Sequence, residues 1–247
     1  MLGTNKPFSL QLLSTSVNAA LYAALGVFSA NLPTFFGVRI WPQVFVPATF
    51  SVLFGPWSGG VGAAIGIFLS DVLFGHHDAL LSLIVGVPSN FVCFFLIGLL
   101  TNRPTTGGRR TTFLLSILFP VILAAYGIYL SRQFLYALVG IVPIIAIIGF
   151  VILRTRWASF GFAASIGLGI GSLIIGFGLV GYSSLFTLPA VLGLGNGALP
   201  LAFAYGATAF TYLSEILPLV ILPPPIVAAC RTAFPSLRAI EPAQGQR

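Results

Sequence analysis

The 247-residue chain is 57% hydrophobic and only 6% charged, with 11 basic and four acidic side chains and a formal net charge of +7. A soluble domain carries about 25% charged residues, so this composition excludes a soluble globular protein and predicts an all-α integral membrane protein forming one membrane domain over 1–247. The mean hydropathy of +1.06 agrees, and the pI near 10.0 reads as basic residues gathered at one membrane face, not as nucleic-acid binding.

A spanning helix needs about 20 apolar residues at 1.5 Å each, and eight segments qualify as candidates: 11–31, 43–55, 57–75, 79–101, 112–131, 134–153, 157–182 and 201–229. Ahead of the first, Lys6 leads into a long apolar pattern without a short hydrophobic region and cleavage site, which predicts that this helix is retained. In NAALYAALGVFSA, Ala19, Ala23, Gly26 and Ala30 recur on one helical stripe, with Ala20 and Ala24 beside it; Asn18 and Tyr22 lie one turn apart. Small residues of this kind let helix backbones approach closely in lipid, for internal packing or for docking of another membrane protein.

The second segment is short. About 13 residues between Pro42 and Pro56 reach only about 18 Å as a helix, so it either crosses or forms a re-entrant stub. The third carries Gly62 and Gly66 and one acid, Asp71, about 21 Å along the helix from Trp57. An ionised acid in a span costs roughly 2.5 to 3.5 kcal/mol, so Asp71 is expected to pair, line a cavity or bind something. The following GHHDAL holds the only histidines, His76 and His77, with Asp78; three adjacent loop residues are a poor closed metal site, and no metal is expected. In the fourth segment Ser82, Ser89 and Cys93 share a face with Asn90 at its flank.

Segments five and six form a helical hairpin over 112–153, turning at SRQF, and the seventh contains Gly167 and Gly171. Ser183 in GYSSL lacks the second glycine of a nucleophile elbow, and no histidine lies within a span to serve as its base. In the last segment Tyr205, Thr208, Tyr212 and Glu215 fall at i, i+3, i+7 and i+10, a polar and aromatic helix face. Cys93 and Cys230 sit in apolar runs, so no disulfide is expected. With Lys6 the only lysine, no Gly-x-x-x-x-Gly-Lys-Ser/Thr phosphate loop exists; neither an enzyme nor a cofactor is predicted.

Charge placement sets the orientation. With eight crossings, nine of the eleven basic residues fall on one side, which the positive-inside rule makes cytoplasmic together with both termini; Arg39 and Arg132 remain outside.

The order ALYAAL, a loop with VRI, then FVPATFSVLFGPWSGGVGAAIG and LSDVLFG resembles the substrate-binding S component of energy-coupling factor (ECF) vitamin transporters of prokaryotic cell membranes. The clearest part is 17–101, about a third of the chain, and LPLVILPPPIVAACR is similar in pattern to that family's final helices. The family's usual core has six helices, so the resemblance marks 112–153 as an inserted hairpin. It implies capture of a vitamin without chemistry, powered by a transmembrane coupling protein and two cytoplasmic ATPases. It further implies docking through Ala19, Ala20, Ala23 and Ala24, and a lid over 31–43 containing Phe35, Phe36, Arg39 and Trp41. The candidate ligand contacts are Arg39, Trp41, Gln43, Asp71, Asn90, Tyr205, Tyr212 and Glu215. Glu215 on the same helix face as Tyr205 and Tyr212 favours a cationic heterocycle such as thiamine or an aminopyrimidine, with riboflavin or another neutral vitamin next. The competing functions are a self-sufficient secondary transporter relaying protons through Asp71 and Glu215, and a structural membrane subunit without ligand.

Overall fold

The computed structural model describes residues 7–30, 32–74, 79–101, 108–130, 135–195 and 197–235. His76, His77 and Asp78, and the SRQF turn, lie outside the described residues. The chain is a helical bundle. Helix α1 spans Phe8–Ser29, α2 Phe45–Phe54 and α3 Pro56–Phe74; a short α4, Ala79–Leu81, leads through a wide π-turn at Ser82–Gly86 into α5, Val87–Thr101. Helices α6, Gly108–Leu130, and α7, Leu135–Arg154, precede α8, Ala158–Leu185, α9, Leu201–Ile221, and α10, Pro223–Ala233. A two-stranded antiparallel hairpin of β1, Thr34–Phe35, and β2, Val38–Arg39, lies between α1 and α2.

Five of these stretches are long and apolar enough to cross a membrane: Phe8–Ser29, Pro56–Phe74, Ala79–Thr101, Ala158–Leu185 and Leu201–Ala233. Helix α2 is not among them, since ten residues rise only about 15 Å. The last expected segment is in fact two helices. Pro223, Pro224 and Pro225 supply no backbone N–H to a continuing ladder, and the chain restarts at Pro223 as α10.

Close backbone approach holds the bundle together. Helix α1 packs along α3, α3 on α5, α5 on α8 and α8 on α9. At the α1–α3 seam, Asn18 Nδ2 donates to the carbonyls of Ser58 (2.9 Å) and Gly59 (3.2 Å), and the Ser14 and Ser58 hydroxyls share a 2.8 Å bond. A Cβ at Gly66 would stand 2.9 Å from the Ala19 carbonyl oxygen, so only glycine admits this contact. The α2–α3 corner needs Gly55 at φ 101, in the left-handed region, before Pro56 opens α3 with its ring-fixed φ.

The hairpin turn places Phe36 (φ 51) and Gly37 (φ 68) both at positive φ, the twist that suits two-residue β-turns. Phe35 and Phe36 then pack on α9, with ring centroids 5.3 Å from Phe210 and 5.7 Å from Phe203. The π-turn has a local cause in Pro88: its nitrogen cannot bond the carbonyl four residues back, Ile84, and the widened turn relieves the ring's clash with it. Helices α6 and α7 occupy the region of the expected hairpin and pack on each other and against α8 and α9. The Ser165 hydroxyl donates to the Ser116 carbonyl at 2.6 Å.

Candidate functional site

One cavity opens beneath the β-hairpin, bounded by α1, α3, the π-turn, α5, α8 and α9. Its empty volume is about 790 Å³, the open mouth included. Most of the wall is apolar, from Val38, Ile67, Leu81, Val85, Leu168, Ile175 and Leu179, with aromatic rings from Tyr22, Trp41 and Phe94.

Helix periodicity explains the polar groups. On α3, Ile67 and Asp71 are one turn apart and both face the cavity. Asp71 is buried, and its Oδ2 accepts the Ser82 hydroxyl at 2.6 Å across from the π-turn. Asn90 is anchored twice: its Nδ2 donates to the Gly86 carbonyl at 2.9 Å, and its Oδ1 accepts the Tyr22 hydroxyl at 2.8 Å. Trp41 meets the Tyr22 ring edge-on at 6.1 Å, and Phe94 meets it in a second edge-on contact at 6.0 Å. Glu215, 7% exposed, lines the cavity with Thr211 one turn before it.

Arg39 reaches the cavity from β2, outside the spanning helices. Partial burial lowers its guanidinium to about 10 against the opposing field of Asp71, so it stays cationic at neutral pH. Its Nε and Nη1 are buried with no hydrogen-bond partner among the described residues.

Of the expected contacts, Arg39, Trp41, Asp71, Asn90 and Glu215 converge on this cavity and three do not. Gln43 is buried elsewhere, donating from Nε2 to the Ser29 hydroxyl at 2.6 Å. Tyr205 donates to the Leu123 carbonyl at 2.7 Å, and the Tyr212 hydroxyl pairs with Ser165 at 2.8 Å while its ring meets Phe119 at 4.8 Å. The cause is angular. At about 100° per residue, Glu215 is turned roughly 60° from Tyr212, enough to send the tyrosines toward α6 and α8 while the acid faces inward with Thr211. Ala19 and Ala23 are likewise not surface residues; they are buried, and Ala20 and Ala24 are exposed.

Tyr22, Ser82, Ser89, Ser172 and Thr211 were not among the expected contacts, yet all line the cavity. The shared face of Ser82, Ser89 and Cys93 signalled part of this, and Thr211 stands one turn from Glu215. Among the described residues, no group of three or more His, Cys, Asp or Glu side chains is placed to hold a metal ion.

A family model described as the ECF-type riboflavin transporter, S component, matches residues 9–175, which carry α1, the β-hairpin, α3, α5 and most of α8. The chain belongs to this family. No curated protein and no solved structure matches it. As an S component it is a multi-pass membrane protein of a transport family, not of an enzyme family. The match stops short of the end of α8 and of α9, so of the cavity-lining residues it leaves out Leu179, Thr211 and Glu215.

Proposed function

We propose that this S component captures riboflavin, or a closely similar flat heterocyclic vitamin, from outside a prokaryotic cell and releases it inward when coupled to a transmembrane partner and two ATPases. The observation that carries the reading is the cavity beneath the hairpin in a chain of the riboflavin S-component family. Its aromatic rings suit a planar ring system, while Asn90, Arg39 and Asp71 offer polar contacts to a hydroxylated side chain. Arg39 lies within the field of Asp71, so a base and an acid face each other in this cavity.

The β-hairpin is the extracellular lid in this reading, with both termini in the cytoplasm by the positive-inside rule. Ala20 and Ala24 are the docking face for the coupling protein, because they alone of the four alanines are exposed. Helices α6 and α7 are an insertion, packed outside the cavity wall.

A cationic heterocycle such as thiamine is the second reading, favoured by Glu215 in the cavity wall. Mass spectrometry of the small molecule extracted from purified protein, followed by titration with riboflavin and thiamine, separates the two. Riboflavin in the extract and saturable riboflavin binding are expected. Binding of thiamine without riboflavin would transfer the assignment, and an empty protein that binds neither would end the vitamin reading.

A further inference from the structure

The hydroxyls of the cavity wall have nearly all given their protons away. Ser82 donates to Asp71, Ser89 to the Gly171 carbonyl (3.0 Å), Ser172 to Leu168 (2.7 Å), Thr211 to Ala207 (2.8 Å) and Tyr22 to Asn90. What they still present to a ligand are lone pairs. Glu215 adds to this set: 7% exposed, on the cavity wall, its carboxyl forms no hydrogen bond among the described residues. An acceptor on the cavity wall is a place where a ligand gains specificity by bringing a donor.

Position adds direction. Arg39, whose buried Nε and Nη1 await acceptors, enters with the hairpin, and Asp71 lies only about 4.5 Å from the hairpin-side end of α3. Glu215 is deeper, about 7.5 Å along α9 beyond Phe210, the residue on which Phe35 rests. It is within electrostatic reach of Tyr22 and Cys93, in the part of the cavity that also holds Phe94. The deep end is therefore aromatic with acceptors, Glu215 the one carboxyl among them, and the mouth is polar with the unspent donors of Arg39.

We propose that Glu215 accepts a ring N–H of the vitamin, so that the heterocycle enters first and its hydroxylated chain remains at the mouth beside Arg39 and Asp71. The inference rests on the riboflavin reading, in which the donor is the imide N–H of the ring. A carboxyl oxygen accepts this bond whether or not Glu215 carries a proton.

The test compares riboflavin with N3-methylriboflavin, which lacks that donor, by quenching of flavin fluorescence in wild type and Glu215→Leu. Wild type is expected to bind the methylated compound on the order of 10- to 100-fold more weakly than riboflavin, and the variant to bind both alike. A difference of the same size in wild type and variant would place the imide contact on another residue and overturn the proposal. If Glu215→Leu does not fold, the wild-type comparison decides alone, since equal affinity for the two flavins leaves no ring N–H contact to assign. Absence of riboflavin binding by wild type is a different result, which removes the vitamin assignment itself and the inference with it.

Discussion

Substituting one glycine by alanine at the α1–α3 seam should cost both stability and ligand affinity, although Gly66 does not itself line the cavity. The added Cβ would lie 2.9 Å from the Ala19 carbonyl oxygen and 3.0 Å from both Cβ and Cδ1 of Tyr22. Two of these are backbone or backbone-attached atoms that no rotamer change can remove, so α1 must shift away from α3. Overpacking of this kind costs about 1 to 3 kcal/mol. Tyr22 is fully buried, and its hydroxyl meets Asn90 at 2.8 Å; losing that bond adds about 0.5 to 1.5 kcal/mol and loosens two cavity-lining residues at once. Gly181 on α8 is the control, because a Cβ there meets nothing within 4 Å. Gly181→Ala should stabilise by roughly 0.5 to 1 kcal/mol through the helix preference of alanine. The assay is unfolding in mixed micelles with increasing denaturing detergent, alongside riboflavin titration of the folded proteins. Gly66→Ala as stable and as tight-binding as wild type would refute the seam argument. Equal destabilisation by both variants would show that the loss is not specific to the α1–α3 contact.

Three further outcomes are expected. Tyr205→Phe and Tyr212→Phe should each lower stability by about 1 kcal/mol, through the lost bonds to Leu123 and Ser165, without weakening binding; weaker binding by either would return the tyrosines to the site. Leucine at Ala20 and Ala24 should abolish vitamin uptake by cells while the isolated protein binds as before, and normal uptake would remove that face as the coupling surface. In a Cys230→Ser background, Thr34→Cys should react with an impermeant thiol reagent on intact cells and Arg110→Cys only after permeabilisation; the reverse pattern would invert the orientation.

The class and most helices were legible in the sequence because lipid imposes a coarse requirement, a long apolar run, that composition alone reveals. The breaks were less so. The interruption at Leu222 follows from the three prolines 223–225, a local signal outweighed by hydropathy on both sides. The β-hairpin depends on two positive-φ residues, one of them Phe36, which no turn preference would nominate. For the site, single acids in apolar helices led to Asp71 and Glu215, both of which line the cavity, since an acid within a span needs a specific environment. The tyrosines of the same helix lie off this cavity for a different reason. Tyr205 and Tyr212 also have polar ends to satisfy, but a carbonyl on α6 and a serine on α8 serve that need, and the pattern of α9 alone does not say which neighbour faces which stripe.

The same ambiguity explains the alanines of α1. Ala19 and Ala20 are adjacent in sequence and about 100° apart on the helix, so one stripe of small residues closes on α3 and the next looks outward. The two serve opposite ends. The inner stripe packs α1 on α3, where Tyr22 meets Trp41 edge-on and donates to Asn90 in the cavity wall. The outer stripe leaves a flat strip of backbone-near surface that costs little to cover and little to uncover. In the proposed function the receptor must hold its ligand firmly and still engage and leave a membrane partner, and a doubled alanine repeat suits both needs on one helix without any polar group exposed to lipid.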